Sequence, residues 1–452
     1  MRVPVLSLIA LAAVAADPAT GAAKTEPVEM GTKKIPVTPR KTLSLAPPST
    51  DDTVKLRTLW FRAFDGKQWG AWQKHGVNFD RATAVEWSPN EGHWQVHLQK
   101  ELTSGIKSPD PVGDVGPATE LIVDRSAPAV RILSPGTGQK LKGSERYTVR
   151  WEATDAYLRN TPIAIRFSRD GSAWETVAEN LANSGSFEWT TPNGHAPSAQ
   201  LRIEAMDKGT NLGHAAITGL VIDSARPTGV VTAPAIIANR AITFTTELND
   251  SGPSGLASAK LWFSQDDGTS WTEGPAIQPP FRSVAWTAPA DGRFRLAVVA
   301  VDGAGNMTAP PRAREGQQFV SIVDTTAPSV SLTSNIGINL ANLVDPTAQR
   351  AFAPGTDLQV RFAATDANLK PNSASIWIQN DATAAWVELG KGQPNDTAFR
   401  FVLGKDVPVV ASKAARIKVM VEDLAGNVGE AVAADVFEIQ TQVSADVIQI
   451  TP

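Results

Sequence analysis

The chain has 452 residues, 42 Lys and Arg against 46 Asp and Glu, a net charge of −4 and no cysteine. That balance excludes the basic surplus of a general nucleic-acid binder, and the missing thiols exclude disulfide staples, thiolate metal sites and cysteine nucleophiles. At about 100–150 residues per domain the length allows three to four domains, and the 42 % hydrophobic content can fill a core in each.

Residues 1–16 read as a secretory signal peptide. Arg2 is the positive n-region, Val3–Leu11 the short apolar run, and Val14 and Ala16 fit cleavage before Asp17, with cleavage after Ala15 as the other register. The chain is therefore expected to be exported, to the cell surface, the periplasm or the extracellular space. No cysteine follows the apolar run, so no lipid anchor is expected there. No later run reaches eighteen apolar residues, so no transmembrane segment is expected in the mature chain. Residues 17–50 are rich in Pro, Thr, Ala and Lys. They form an N-terminal arm that overlaps the start of the first unit, either as a linker or laid on a neighbour.

Four units follow, at 35–125, 126–224, 225–325 and 326–441. The junctions share a motif: Asp124 in LIVDRSAP, Asp223 in VIDSARP and Asp324 in IVDTTAP, 99 and 101 residues apart. Such regularity marks a tandem array. Inside the units, Asp-Gly-x-x-Trp recurs at Asp65/Trp69, Asp170/Trp174 and Asp267/Trp271, with a degraded form from Asp381 to Trp386. Fifteen residues after the hairpin Trp comes a second aromatic: Trp189, Trp286 and Phe401. In the first unit it is Trp72 that stands fifteen before Trp87, so the register slips by about three residues. Alternating runs ending in Asp207, Asp302 and Asp423 lead to glycine-rich turns with Asn211, Asn306 and Asn427.

The second unit predicts seven short strands: Ala129–Leu133, Tyr147–Ala153, Ile163–Ser168, Trp174–Ala178, Ser186–Thr190, Leu201–Ala205 and Ile217–Ile222. Most alternate apolar with polar residues and are parted by turn formers. Seven such strands in a unit of this length predict a two-sheet sandwich. The fold class is therefore all-β, an elongated tandem array of immunoglobulin-like β-sandwiches. Pro128, Pro227 and Pro328 stiffen the short linkers. The first unit is irregular and short of opening strands. Residues 335–353 lengthen the start of the fourth as a loop or short helix, and the tail 442–452 holds a β-prone segment that could pair with a partner's sheet edge.

Catalysis has little to stand on. His93 and His97 lie about 13 Å apart along a strand, too far for one zinc ion, and no HExxH, GxSxG or phosphate loop is found. An enzyme is not expected. Calcium is the better ligand class. Asp155, Asp250 and Asp366 close the second strand of their units, Asp207, Asp302 and Asp423 precede the glycine-rich turns, and oxygen ligands from such loops can gather at one end of a sandwich. The same aspartates also suit Asx-turns that satisfy their own loops, and their recurrence with the fold favours that structural use. No other cofactor is indicated. Of the tryptophans outside the shared pattern, Trp72 and Trp94 are the candidates for a glycan-binding face.

With these residues in view, the chain resembles the bacterial immunoglobulin-like and fibronectin type III-like repeats of exported proteins over about residues 50–440. The carriers are VDTTAP at Val323–Pro328, FSRDGSAW at Phe167–Trp174, WTTP at Trp189–Pro192 and VDGAGN at Val301–Asn306. The resemblance implies spacers, adhesive stalks or assembly subunits and brings no catalytic residue. The expectation is a non-enzymatic structural or assembly subunit, homo-oligomeric or bound to protein partners in an extracytoplasmic assembly through sandwich edges and terminal arms. The alternative is a glycan- or surface-binding adhesin.

Overall fold

A computed structural model describes residues 24–113, 118–312, 319–338, 351–406, 410–434 and 436–441. The predicted signal peptide, the start of the arm, most of the predicted insertion in the fourth unit and the tail lie outside the described residues. Among the described residues there is no helix, hence none long and apolar enough to cross a membrane.

The second domain shows how sequence becomes sandwich. A three-stranded sheet takes Ala129–Ser134, Arg146–Thr154 and Ser186–Thr190, and a five-stranded sheet takes Lys140–Lys142, Leu212–Asp223, Ala196–Asp207, Leu158–Ser168 and Glu175–Leu181 in that spatial order. The period-two pattern sends Val149, Trp151 and Ala153 inward from one sheet and Leu201, Ile203 and Ala205 inward from the other. Trp189 closes the core against Phe167, ring centroids 5.3 Å apart. Each fully buried Val, Leu, Ile or Phe side chain of this core contributes about 1.5–3 kcal/mol. The seven predicted strands are all present. An eighth, Lys140–Lys142, runs parallel to Leu212–Asp223. It has a single apolar residue, Leu141, and so carries no period to read. Through it the chain changes sheets after its first strand.

The third and fourth domains repeat this plan, with Trp286 and Phe401 in the place of Trp189. The first keeps the five-stranded sheet but reduces its partner to Leu43–Ala46 and Val85–Trp87. Its core is correspondingly smaller, built around Leu59, Val85, Trp87 and Leu121. Part of the predicted arm belongs to this sandwich: Val37–Thr38 pairs in parallel with Thr119–Val123. Ahead of it, Val28–Met30 and Lys33–Ile35 form a hairpin, and Glu26 N–H donates to Lys208 O at 2.8 Å on the second domain.

By contacts the chain forms two compact units. One holds the first two sandwiches with the loops 252–255 and 303–306, and the other holds the remainder of the last two.

Candidate metal centre at the domain junctions

The sequence places one aspartate at the end of a sandwich and two more on loops of the next. In the first unit the fold brings these together. Asp124 follows the strand Thr119–Val123, Asp155 follows Arg146–Thr154, and Asp207 ends Ala196–Asp207. A carboxylate oxygen from each lies within 4.8 Å of the others. Asp207 is fully buried and Asp124 is 7 % exposed.

Hydrogen bonds account for much of this arrangement. Tyr157 N–H donates to Asp155 Oδ1 at 2.7 Å, and Asn211 N–H donates to Asp207 Oδ1 at 2.7 Å. These are the turn roles that short acidic side chains favour. The Asn211 amide then spans the junction, donating to Asp207 Oδ2 at 2.7 Å and to the Asp124 carbonyl at 2.9 Å. Ser126 N–H donates to Asp124 Oδ1 at 3.2 Å. Asp124 Oδ2 is buried and has no hydrogen-bond partner. Burial, followed at a distance by repulsion from Asp207 and Asp155, pushes the Asp124 carboxyl up to about 6 against the pull of the Ser126 N–H. Burial, with repulsion from Asp207, also raises Asp155 above the usual carboxylate range. The Tyr157 phenol is raised by burial and then by the Asp124 and Asp155 charges.

In the second unit the same construction recurs with Asp324, Asp366 and Asp423, again within 4.8 Å. Asn427 repeats the part of Asn211, reaching Asp423 Oδ2 at 2.7 Å and the Asp324 carbonyl at 2.8 Å. One side chain differs. Where the first junction has Tyr157, the fourth domain has Asn368, whose amide donates to Asp324 Oδ2 at 2.7 Å. The oxygen that is bare at Asp124 is thus occupied at Asp324.

The remaining candidates divide between the units. Asp223 is buried in the first, where Ala225 N–H and Ser254 N–H donate to its two oxygens at 2.9 and 3.0 Å. Asp250 and Asp302 belong to the second and bring carboxylate oxygens within 4.8 Å of each other.

A second set of residues holds each linker from the domain behind it, and sequence reading missed it. Glu91 accepts Arg125 N–H at 2.9 Å and the Ser126 hydroxyl at 3.1 Å. Asp291 accepts Thr325 N–H at 3.0 Å and the Thr325 and Thr326 hydroxyls. The Thr325 N–H bond, joined by Arg240, holds the Asp291 carboxyl down to about 2. Both acids precede a glycine and stand 33 positions before their junction aspartate, a signal the sequence did contain.

The glycan candidates are engaged within the fold. Trp94 packs on the first domain's core against Trp87 at 5.2 Å, with its N–H on Asn90 O. Trp72 lies under the Arg62 guanidinium at 4.6 Å, with its N–H on Gly113 O. Both are half-buried. The hairpin tryptophans Trp174 and Trp386 sit instead beneath Arg202 and Lys418, a cation–π use of a repeated aromatic.

The family model for the bacterial Ig domain matches residues 128–205. Over that stretch the second domain is similar to a bacterial immunoglobulin domain. Solved structures similar to the chain carry fibronectin III-like and immunoglobulin-like domains. The fibronectin(III)-like modules of Clostridium thermocellum CbhA are 14% identical over 43% of this chain and 93% of theirs, with a TM-score of 0.28. A structure from a 1.5-MDa bacterial ice-binding adhesin is 15% identical over 70% of this chain and 99% of its own, with a TM-score of 0.29. Three N-terminal domains of the bacteriophage RB49 outer capsid protein Hoc are 8% identical over 71% and 99%, with a TM-score of 0.31. No curated protein matches the sequence.

Proposed function

We propose that the chain is an exported, non-enzymatic structural subunit that holds protein partners in an extracytoplasmic assembly. The observation that carries this reading is the double fastening of its linkers. Within the first unit, Glu91 grips residues 125 and 126 from behind while Asn211 grips Asp124 from ahead. In the second unit Asp291 and Asn427 do the same for residues 324–326. Fastening of this kind suits a protein that fixes distance and orientation. Immunoglobulin-like modules are as a rule non-catalytic, although a fold alone does not assign a role.

Partner contact is assigned to particular edges. The outermost strands of the five-stranded sheets, Gln73–Asp80, Glu175–Leu181, Thr272–Ile277 and Val387–Gln393, all meet their neighbours across register shifts. Bulges blunt an edge against strand addition. Ser186–Thr190, Thr228–Thr232, Ser283–Thr287 and Asp396–Val402 are edge strands that pair in unbroken register and are open to a partner strand. Purification from the native source followed by imaging tests the reading. The protein is expected within a filament, layer or stoichiometric complex. A dispersed monomer, with neither self-association nor a co-purifying protein, overturns it.

A further inference from the structure

We propose that Asp124, Asp155 and Asp207 form a calcium site that locks the first domain to the second. The trio alone would not carry this, because turn-forming aspartates gather without any ligand. The deciding observation is Asp124 Oδ2, which is buried among two further carboxylates and has no partner. A buried charged oxygen left bare is costly, and one cation would satisfy it together with its neighbours.

The donor set selects the ion. Three carboxylates and the nearby main chain are hard oxygen ligands, and neither thiolate nor imidazole belongs to the trio. Calcium binds oxygens at about 2.3–2.6 Å, so two of its ligands can lie up to about 4.6–5.2 Å apart, and three oxygens all within 4.8 Å of one another can share one such ion. Magnesium, at about 2.0–2.1 Å, demands near-ideal octahedral geometry and usually keeps several waters, so a loop-built carboxylate set suits calcium better. Tyr157 N–H uses one lone pair of Asp155 and Asn211 uses one on each oxygen of Asp207, so further lone pairs remain to coordinate a metal. One ligand comes from the linker and two from the second domain, so the ion would join them directly. The fourth domain has the same aspartates, but the Asn368 amide stands where the cation's charge would be needed.

Calorimetric titration of the full chain with calcium chloride tests this, comparing wild type with Asp155→Asn and Asp366→Asn. Wild type is expected to bind with a dissociation constant of about 10⁻⁴–10⁻³ M, as extracellular calcium modules do. Asp155→Asn keeps the oxygen that accepts Tyr157 N–H, yet should lose one site or weaken it at least about tenfold. Asp366→Asn should leave that site intact. A wild-type chain without calcium heat, or an Asp155→Asn chain that titrates like wild type, overturns the proposal. If Asp155→Asn does not fold, hydrogen exchange of the wild type decides. Calcium should protect segments 124–127, 155–158 and 207–211, and unchanged exchange there overturns the proposal.

Discussion

The junction ahead of the second domain and the junction ahead of the fourth share three aspartates, a bridging asparagine and a fastening acid on the domain behind. They differ at the residue two places after the loop aspartate. At Asp324 the Asn368 amide completes the hydrogen bonding from within the chain. At Asp124 Tyr157 offers no such donor: its ring joins the small apolar cluster of Ile35, Val37 and Ile122, and the Asp124 oxygen is left bare. The same backbone device can therefore be closed by the protein itself or left open to a cation, according to one side chain.

The largest way to break this comparison is to remove the cation. With calcium at about a hundred times its dissociation constant, chelation should cost the second domain about 2.7 kcal/mol. Native-state hydrogen exchange of the strands Ala196–Asp207 and Leu212–Asp223 reads this domain by itself. Next comes Asn368→Ala, which strips Asp324 Oδ2 of its donor. Without calcium the fourth domain should lose about 2 kcal/mol, as expected for a bond to a buried charge. Millimolar calcium should restore part of that loss, and a variant indifferent to calcium would show that an open oxygen is not enough.

A smaller effect of opposite sign is expected for Asp124→Asn. In chelator at neutral pH the buried charge is gone, and the second domain should gain about 1 kcal/mol in denaturant unfolding. The gain should vanish when wild type is compared in calcium. The smallest effect belongs to the fastening acids. Asp291 titrates near 2 in the folded chain against 3.8 for the free side chain. Its contribution is therefore present above about pH 4 and lost as the pH falls toward 2. Asp291→Asn should remove that acid-dependent loss and cost under about 1 kcal/mol at pH 7, because the group is partly exposed.

Much of this was legible before the fold was known, and the illegible parts have physical reasons. Alternation places Val149, Trp151, Leu201 and Ile203 in strands because one face of each sheet must be buried. Lys140–Lys142 offers no alternation and is defined only by the parallel strand it meets. The junction aspartates could be read from their recurrence. Their gathering with the loop aspartates could be expected but not located, since Asp124 and Asp155 belong to different sandwiches and meet only once the linker is folded. The choice between turn and ligand posed by the sequence turns out to be incomplete. Asp155 Oδ1 and Asp207 Oδ1 serve their turns, and each of these residues also offers a carboxylate oxygen within 4.8 Å of the others in the trio. Trp94 lies outside the repeat pattern yet packs on the core, because the first domain's reduced second sheet leaves room that the Trp87 and Trp94 rings fill.

A crystal structure of the full chain grown with calcium, with anomalous scattering recorded at long wavelength, tests the central claim most directly. The expected result is a peak between Asp124, Asp155 and Asp207, at about 2.3–2.6 Å from Asp124 Oδ2, with none among Asp324, Asp366 and Asp423 at the same calcium concentration. No peak at the first junction, or equal peaks at both, would contradict the account.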